Sequence, residues 1–260
     1  MNGTLSQPEQ LRYARQMLLP ELGENGQLRL KQAHVLIIGM GGLGCPAAMY
    51  LAAAGVGSLV IVDFDTVERS NLHRQILYQE HQIGRNKAQQ GAINLHAMAP
   101  DVSYQVVSDK VTADNVFSLV SNVDLVLDCT DNIHTRLLIN QACVNLQRPL
   151  ISGAAIGFKG QLLTLPMTVN SPCYQCIYHS TPDDHSSCLQ DGVMGPLVGV
   201  IGSMQALQAI KYLSQIGSLH QEAKLHRFNA IDMQWQNLAL TVDPNCPVCA
   251  GKPLRSKDAY

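Results

Sequence analysis

Two kinds of chemistry are written into the residue spacing. In VLIIGMGGLG (35–44), Gly39, Gly41 and Gly44 follow a branched aliphatic run at the intervals of a nucleotide-phosphate turn. Asp63 stands about 20 residues further on. Glycines allow a tight turn and close approach to a phosphate, and the helix that follows aims its free N–H groups at the negative charge. A carboxylate at the end of the next strand accepts from ribose hydroxyls. These features fit a nicotinamide dinucleotide and ATP alike. The segment DFDTVERSNLHRQ adds Asp65, Asn71, Arg74 and Gln75, and GRNKA adds Lys87 at the head of a helix. A dinucleotide pyrophosphate is largely held by one helix N-terminus, whereas a triphosphate attacked by another anion needs further cations. Arg74 and Lys87 supply them, although either alone is more simply a solvated surface charge. LDCTDN (127–132) ends a buried strand where open α/β sheets bind ligands. Asp128 and Asp131 are therefore expected in the same crevice, where a carboxylate opposite phosphates is a ligand for Mg²⁺.

The second chemistry is thiolate. Of the chain's eight cysteines, Cys173 and Cys176 form one C-x-x-C pair and Cys246 and Cys249 another. Two such hooks make the closed ligand set of structural Zn²⁺, in a compartment where disulfides are disfavoured. Their expected role is to tie the C-terminal tail to an irregular segment, without catalysis. Cys45, Cys129 and Cys143 lie in apolar segments and read as small buried hydrophobes. Cys188, in HSSCLQDGV, stands alone in a polar loop, equally an exposed thiol without a role and a reactive one.

The elements that must hold these groups follow from periodicity. HVLIIG, SLVIVD, VSYQVV and VDLVLD read as strands. Between them lie helices over 42–55, 85–100 and 112–121, the last with Thr112 as N-cap. Continuous apolar strands alternating with helices predict a parallel sheet covered on both faces. After RPLISG the pattern changes to antiparallel-type strands over 155–165 and 223–242. An irregular segment spans about 166–192, and a helix covers 196–214. The fold class expected is α/β, a Rossmann-like, mostly parallel sheet continued by antiparallel strands. No linker interrupts the 260 residues.

Hydrophobic residues make up 46% and charged residues 15%, with net charge −2. That balance gives no electrostatic footprint for nucleic acid or an anionic membrane. The apolar stretch 193–204 is too short to span a bilayer and reads as a buried helix. The polar start MNGTLSQPEQ has no apolar signal core, so a cytoplasmic location is expected.

Taken together, RYARQ, GMGGLG, DFDTVERSNLHRQ, GRNKA, LDCTDN, SGAAIGFKGQL and GPLVGVIGSMQALQAIK, with both C-x-x-C pairs, resemble the ThiF/MoeB/HesA adenylyltransferases, relatives of the ubiquitin-activating enzymes. The likeness runs from about residue 10 to 250 and implies that the glycine turn holds ATP. It implies one adenylyltransferase domain over 1–260, with N-terminal helices in 1–32, a nucleotide-binding part in 33–153 and a carrier-binding and zinc part in 154–260. The implied reaction joins the C-terminal Gly-Gly carboxylate of a small ubiquitin-like sulfur carrier protein to AMP. By motif, Gly42 contacts the nucleotide and Asp63 holds the ribose, while Asp65 lies close by. Asn71, Arg74, Gln75 and Lys87 surround the phosphates, and Asp131 positions Mg²⁺. Arg15, in RYARQ, matches an arginine that crosses a homodimer interface, and Cys188 one that joins covalently to the carrier in thiamine-type relatives. A cysteine desulfurase is a sulfur donor consistent with this reaction. GFKGQL and QWQNLAL look closer to ThiF, of thiamine thiazole synthesis, than to MoeB, of molybdopterin synthesis. The short stretch after the second C-x-x-C pair implies no rhodanese domain. The rivals are an NAD-dependent oxidoreductase and a zinc-stabilised scaffold that binds a carrier without activating it.

Overall fold

The computed structural model describes residues 4–168, 170–178, 192–218 and 222–250. Cys188 lies outside them. The chain opens with α1 (Gln7–Met17), started by a capping box in which Glu9 N–H donates to Ser6 Oγ and Ser6 N–H donates to Glu9 Oε2 at 2.7 Å. Helix α2 (Gly23–Gln32) follows.

Strand and helix then alternate through β1 (His34–Ile38), α3 (Gly44–Ala53), β2 (Ser58–Val62), α4 (Lys87–Met98), β3 (Ser103–Val107), α5 (Val116–Ser121), β4 (Leu125–Asp128), α6 (Ile133–Leu146) and β5 (Leu150–Ile156). The remainder is β6 (Lys159–Leu165), α7 (Gly195–Leu213), β7 (Lys224–Asn229) and β8 (Gln234–Ala239). All eight strands form one sheet in the order β3-β2-β1-β4-β5-β6-β7-β8. The first five are parallel, and β5 to β8 pair antiparallel.

Strand periodicity explains why the central strands are apolar throughout. Val35 and Ile37 face one core, and Leu36 and Ile38 face the other. Likewise Leu59 and Ile61 of β2 oppose Val60 and Val62. Helices α3, α4 and α7 cover the first face; α5 and α6 cover the second.

The chain leaves β1 outward through β2 and β3, then returns to β4 on the other side of β1. The resulting switch point, between the C-terminal ends of β1 and β4, is where such sheets bind ligands. Both the glycine turn and the Cys129–Asn132 loop emerge there.

Three details differ from the sequence reading. The segment 155–165 is not one strand but the end of β5 turned back into β6 as a hairpin, whereas the strands expected at KLHRFNA and WQNLALTV within 223–242 are found as the hairpin β7–β8. The third predicted helix begins at Val116, because Asn115 Oδ1 accepts from Thr112 N–H at 2.9 Å and holds 112–115 as a turn. Thr112 is therefore not the N-cap. Periodicity assigns no element to 133–146, yet α6 fills it. Its inward face carries the buried polar residues Thr135, Arg136 and Asn140, which blunt the apolar repeat.

Candidate functional site

The glycine turn is shaped by the fold itself at two positions. Gly39 has φ +92°, and a Cβ there would lie 2.8 Å from the Cys129 carbonyl oxygen. A Cβ on Gly44 would lie 1.9 Å from the Gly39 carbonyl oxygen, so the turn can close onto α3 only with glycine. At Gly41 packing makes no such demand, since the nearest atom to a Cβ is Gln75 Nε2 at 3.5 Å. Tyr78 fixes the turn to α4, its hydroxyl donating to the carbonyls of Met40 (2.9 Å) and Lys87 (3.1 Å).

Asp63 closes β2 facing this turn. Its Oδ2 accepts from Met40 N–H at 2.6 Å and its Oδ1 from Asp65 N–H at 2.8 Å. Burial pushes its carboxyl above the usual range, opposed by the Met40 N–H and by Lys87. Lys87 is itself buried; its ammonium lies 3.1 Å from Asp65 Oδ2, and Asp65 remains exposed. Asn86 caps α4 by accepting from Gln89 N–H at 3.0 Å, which sets Lys87 at the helix head.

The crossing segment 64–86 brings in the remaining groups. Arg74 lies beside Gly42, where a Cβ would meet its Cγ at 3.5 Å, and its guanidinium donates to the Ser70 carbonyl at 3.1 Å. Gln75 is buried, and its Oε1 has no partner among the described residues. Asn71 is buried, with Nδ2 3.4 Å from Ser70 Oγ and its carbonyl accepting from the N–H groups of Arg74 and Gln75. Gly39, Gly41, Gly42, Asp63, Asp65, Arg74, Gln75 and Lys87 thus share one crevice, with Asn71 in its wall. The first turn of α7 closes it, with Val198 against Gly42.

The two aspartates of LDCTDN part company. Asp128 is fully buried and accepts from Thr130 N–H (3.0 Å), Thr130 Oγ1 (2.7 Å) and Ser152 Oγ (2.6 Å), with Arg136 Nη1 at 3.8 Å. It is enclosed in a polar core and does not face the crevice. Asp131, three residues on, is exposed at the switch point. Arg136, Ser152 and Gln205, which donates to the Asp128 and Ile151 carbonyls, are the residues sequence reading missed. The available signal was an arginine inside an otherwise inward-facing helix stripe.

Arg15 is not brought into the crevice. It is exposed near the end of α1, and its neighbour Gln16 donates to the Ala54 carbonyl at the C-terminal end of α3. The glycine turn lies at the opposite end of that helix, about 15 Å away. Leu11, Leu18 and Leu19 are exposed on the same N-terminal segment.

The four paired cysteines converge on the other face of the sheet, beside α6. Their Sγ atoms lie within 4.8 Å of one another, with Cys173 to Cys246 at 3.6 Å, Cys173 to Cys176 at 4.0 Å and Cys176 to Cys249 at 3.3 Å. Four sulfurs around zinc, each at about 2.3 Å, sit about 3.8 Å apart, so the donor set fits Zn²⁺. The separations are far too long for disulfides. Asn140 Nδ2 donates to Cys173 Sγ at 3.5 Å, and its Oδ1 accepts from Tyr174 N–H at 2.9 Å. Cys45, Cys129 and Cys143 are buried as expected, and burial pushes the Cys45 thiol up to about 12. No helix among the described residues is long and apolar enough to cross a membrane.

Known proteins resemble the chain in sequence and in fold. The Escherichia coli sulfur carrier protein ThiS adenylyltransferase is 45% identical over 93% of this chain and 95% of its own length. The Drosophila persimilis adenylyltransferase and sulfurtransferase MOCS3 is also 45% identical, over 94% of this chain. The chain spans only about half of MOCS3, 54%. Among solved structures, E. coli MccB superposes with a TM-score of 0.82 at 21% identity, covering 98% of this chain and 76% of that one, which shows a shared fold. The ThiF family model matches residues 13–248, and with these relatives it places the chain in the ThiF family.

Proposed function

We propose that the chain uses ATP to adenylylate the C-terminal Gly-Gly carboxylate of a ThiS-type ubiquitin-like sulfur carrier protein, activating it for thiocarboxylate formation in thiamine thiazole synthesis. The observation that carries this reading is the convergence of Lys87, Arg74 and Gln75 on one glycine turn. A dehydrogenase has no use for that many phosphate partners, while two anions brought together need them. The full-length likeness to the ThiS adenylyltransferase supports the choice of substrate.

In this reading Asp63 takes the ribose hydroxyls, and the glycine turn with the N-terminus of α3 receives the phosphates. Lys87 reaches them by exchanging Asp65 for phosphate oxygen, and the unpaired Gln75 Oε1 orients a hydroxyl or a water there. The carrier carboxylate attacks the α-phosphorus, the bond to the β-phosphate breaks, and pyrophosphate leaves with the charge that Arg74 and Lys87 offset. Asp131 would hold Mg²⁺, which would supply further charge neutralisation at the phosphates.

Arg15 acts in trans: in a homodimer the exposed leucines around it pack on the partner and deliver its guanidinium to the partner's phosphates. Mixing Arg15→Ala and Asp131→Ala subunits then restores part of the activity that each lacks alone; absence of rescue despite subunit exchange removes Arg15 from the site. The cysteine cluster holds Zn²⁺ structurally. Cys188 serves thiocarboxylation, not adenylylation, so Cys188→Ser retains ATP–pyrophosphate exchange. A cysteine desulfurase supplies the sulfur.

A molybdopterin-type carrier is the second reading, favoured by the equal identity to MOCS3. One experiment tests both: incubation with ATP, Mg²⁺ and purified carriers of each type, with the acyl-adenylate sought by mass spectrometry. Formation on the thiamine-type carrier alone supports the proposal. Formation on neither, with nicotinamide turnover in its place, overturns it.

A further inference from the structure

We infer that Arg136 is a positioning residue that sets the direction of Asp131 and through it the Mg²⁺ dependence of nucleotide binding. The inference rests on the reading of Asp131 as a Mg²⁺ ligand. Arg136 is 8% exposed. One of its terminal nitrogens, Nη2, donates to the carbonyls of Thr130 and of Gly153 (2.9 Å). The other, Nη1, donates to Ser152 Oγ at 3.2 Å and lies 3.8 Å from Asp128 Oδ2.

The Thr130 carbonyl belongs to the same rigid peptide plane as the Asp131 nitrogen. The N–H of Thr130, at the other end of the residue, donates to Asp128 Oδ1. Thr130 is thus held at both its N–H and its C=O by the two partners of one buried ion pair. On the far side, Asn132 Oδ1 accepts from Thr135 N–H at 2.9 Å and caps α6. Asp131 is left as the exposed residue between two anchored neighbours. A carboxylate so placed meets a cation without the entropy cost of ordering its own backbone. A lysine at 136 keeps the positive charge opposite Asp128 but cannot span the two carbonyls and Ser152, because its donors radiate from one atom.

The test titrates the full chain with ATP, with Mg²⁺ present and in buffer stripped of divalent cations, and takes the factor by which Mg²⁺ tightens binding. Arg136→Lys should lose about tenfold of that factor while the affinity without Mg²⁺ stays unchanged. Ser152→Ala, which removes the hydroxyl shared by Asp128 and Arg136, should show a smaller loss in the same direction; it decides alone if Arg136→Lys does not fold. Arg136→Lys combined with Asp131→Asn should lose no more than Asp131→Asn does. A Mg²⁺ factor untouched in both Arg136→Lys and Ser152→Ala, or affinity falling equally with and without Mg²⁺, overturns the inference. If Asp131→Asn itself keeps the full Mg²⁺ factor, it is the reading of Asp131 that fails.

Discussion

Asp128→Asn and Asp131→Asn, three positions apart, should have opposite consequences. Asn keeps the volume of Asp, so no cavity term enters at Asp128. What changes is charge and hydrogen bonding. Asp128 is 0% exposed and accepts three hydrogen bonds. An amide turned to accept from Thr130 presents its NH₂ to Ser152 Oγ, which can rotate to accept, and to Arg136, which cannot shed its proton. The guanidinium is left buried without a counter-charge. Removing one partner of such a pair costs about 3–5 kcal/mol, and the lower end applies because Arg136 keeps its carbonyl acceptors. Asp131→Asn alters an exposed side chain and should leave stability within about 0.5 kcal/mol. Urea unfolding of both variants gives the two values, and mass spectrometry of the acyl-adenylate gives activity: Asp131→Asn should be folded and inactive. An Asp128→Asn loss below about 1 kcal/mol with an unchanged m-value would refute the argument, since it would mean that the ion pair does not hold the loop.

Gly44→Ala should cost about 3 kcal/mol or more, because the new Cβ would lie 1.9 Å from the Gly39 carbonyl oxygen, a backbone atom that cannot swing aside, and thermal unfolding measures it. For the cysteine cluster, metal analysis should find about one zinc per chain, and Cys246→Ser should reduce both metal content and stability. A stoichiometric metal retained after replacement of all four paired cysteines would exclude this ligand set. At Glu9 burial pushes the carboxyl up, but Lys31 and Ser6 together hold it below its usual range. Its contribution is therefore present above the unfolded-state value and lost as pH falls through the lower folded value. The stability difference between wild type and Glu9→Gln should accordingly be seen at pH 7 and vanish in acid, as urea titrations across pH will register.

The parallel half of the sheet was legible because its strands are buried on both faces, so Val35 to Ile38 and Leu59 to Val62 are apolar without a break. The glycine turn, Asp63 and Lys87 were legible for a local reason, as each lies at a junction between elements that the pattern marks. The Asp128–Arg136–Ser152 network was not, because it joins residues from β4, α6 and β5 whose pairing exists only after the sheet forms. Asp128 and Asp131 look alike in sequence; only the register of β4 against β5 turns one inward beside Ser152. Arg15 is a different case: expected to act across a dimer interface, it lies a helix length from the glycine turn of its own chain, so a single chain's pattern cannot place it.

The two cysteine hooks stand 73 residues apart in the chain and touch in space. A metal shared between them closes a loop that contains α7, β7 and β8. Closing such a loop removes about 4 kcal/mol of entropy from the unfolded chain. Its larger effect is on which parts open together. With the clasp shut, the β7–β8 hairpin cannot separate from β6 and diffuse away, and α7, which lies over the glycine turn, keeps its place even when its own contacts fluctuate. With the clasp open, amides of the hairpin should exchange with solvent through a local opening of their own, ahead of those in β1, β2 and β4. The metal would then set the order in which the molecule comes apart, and with it the segment a protease reaches first.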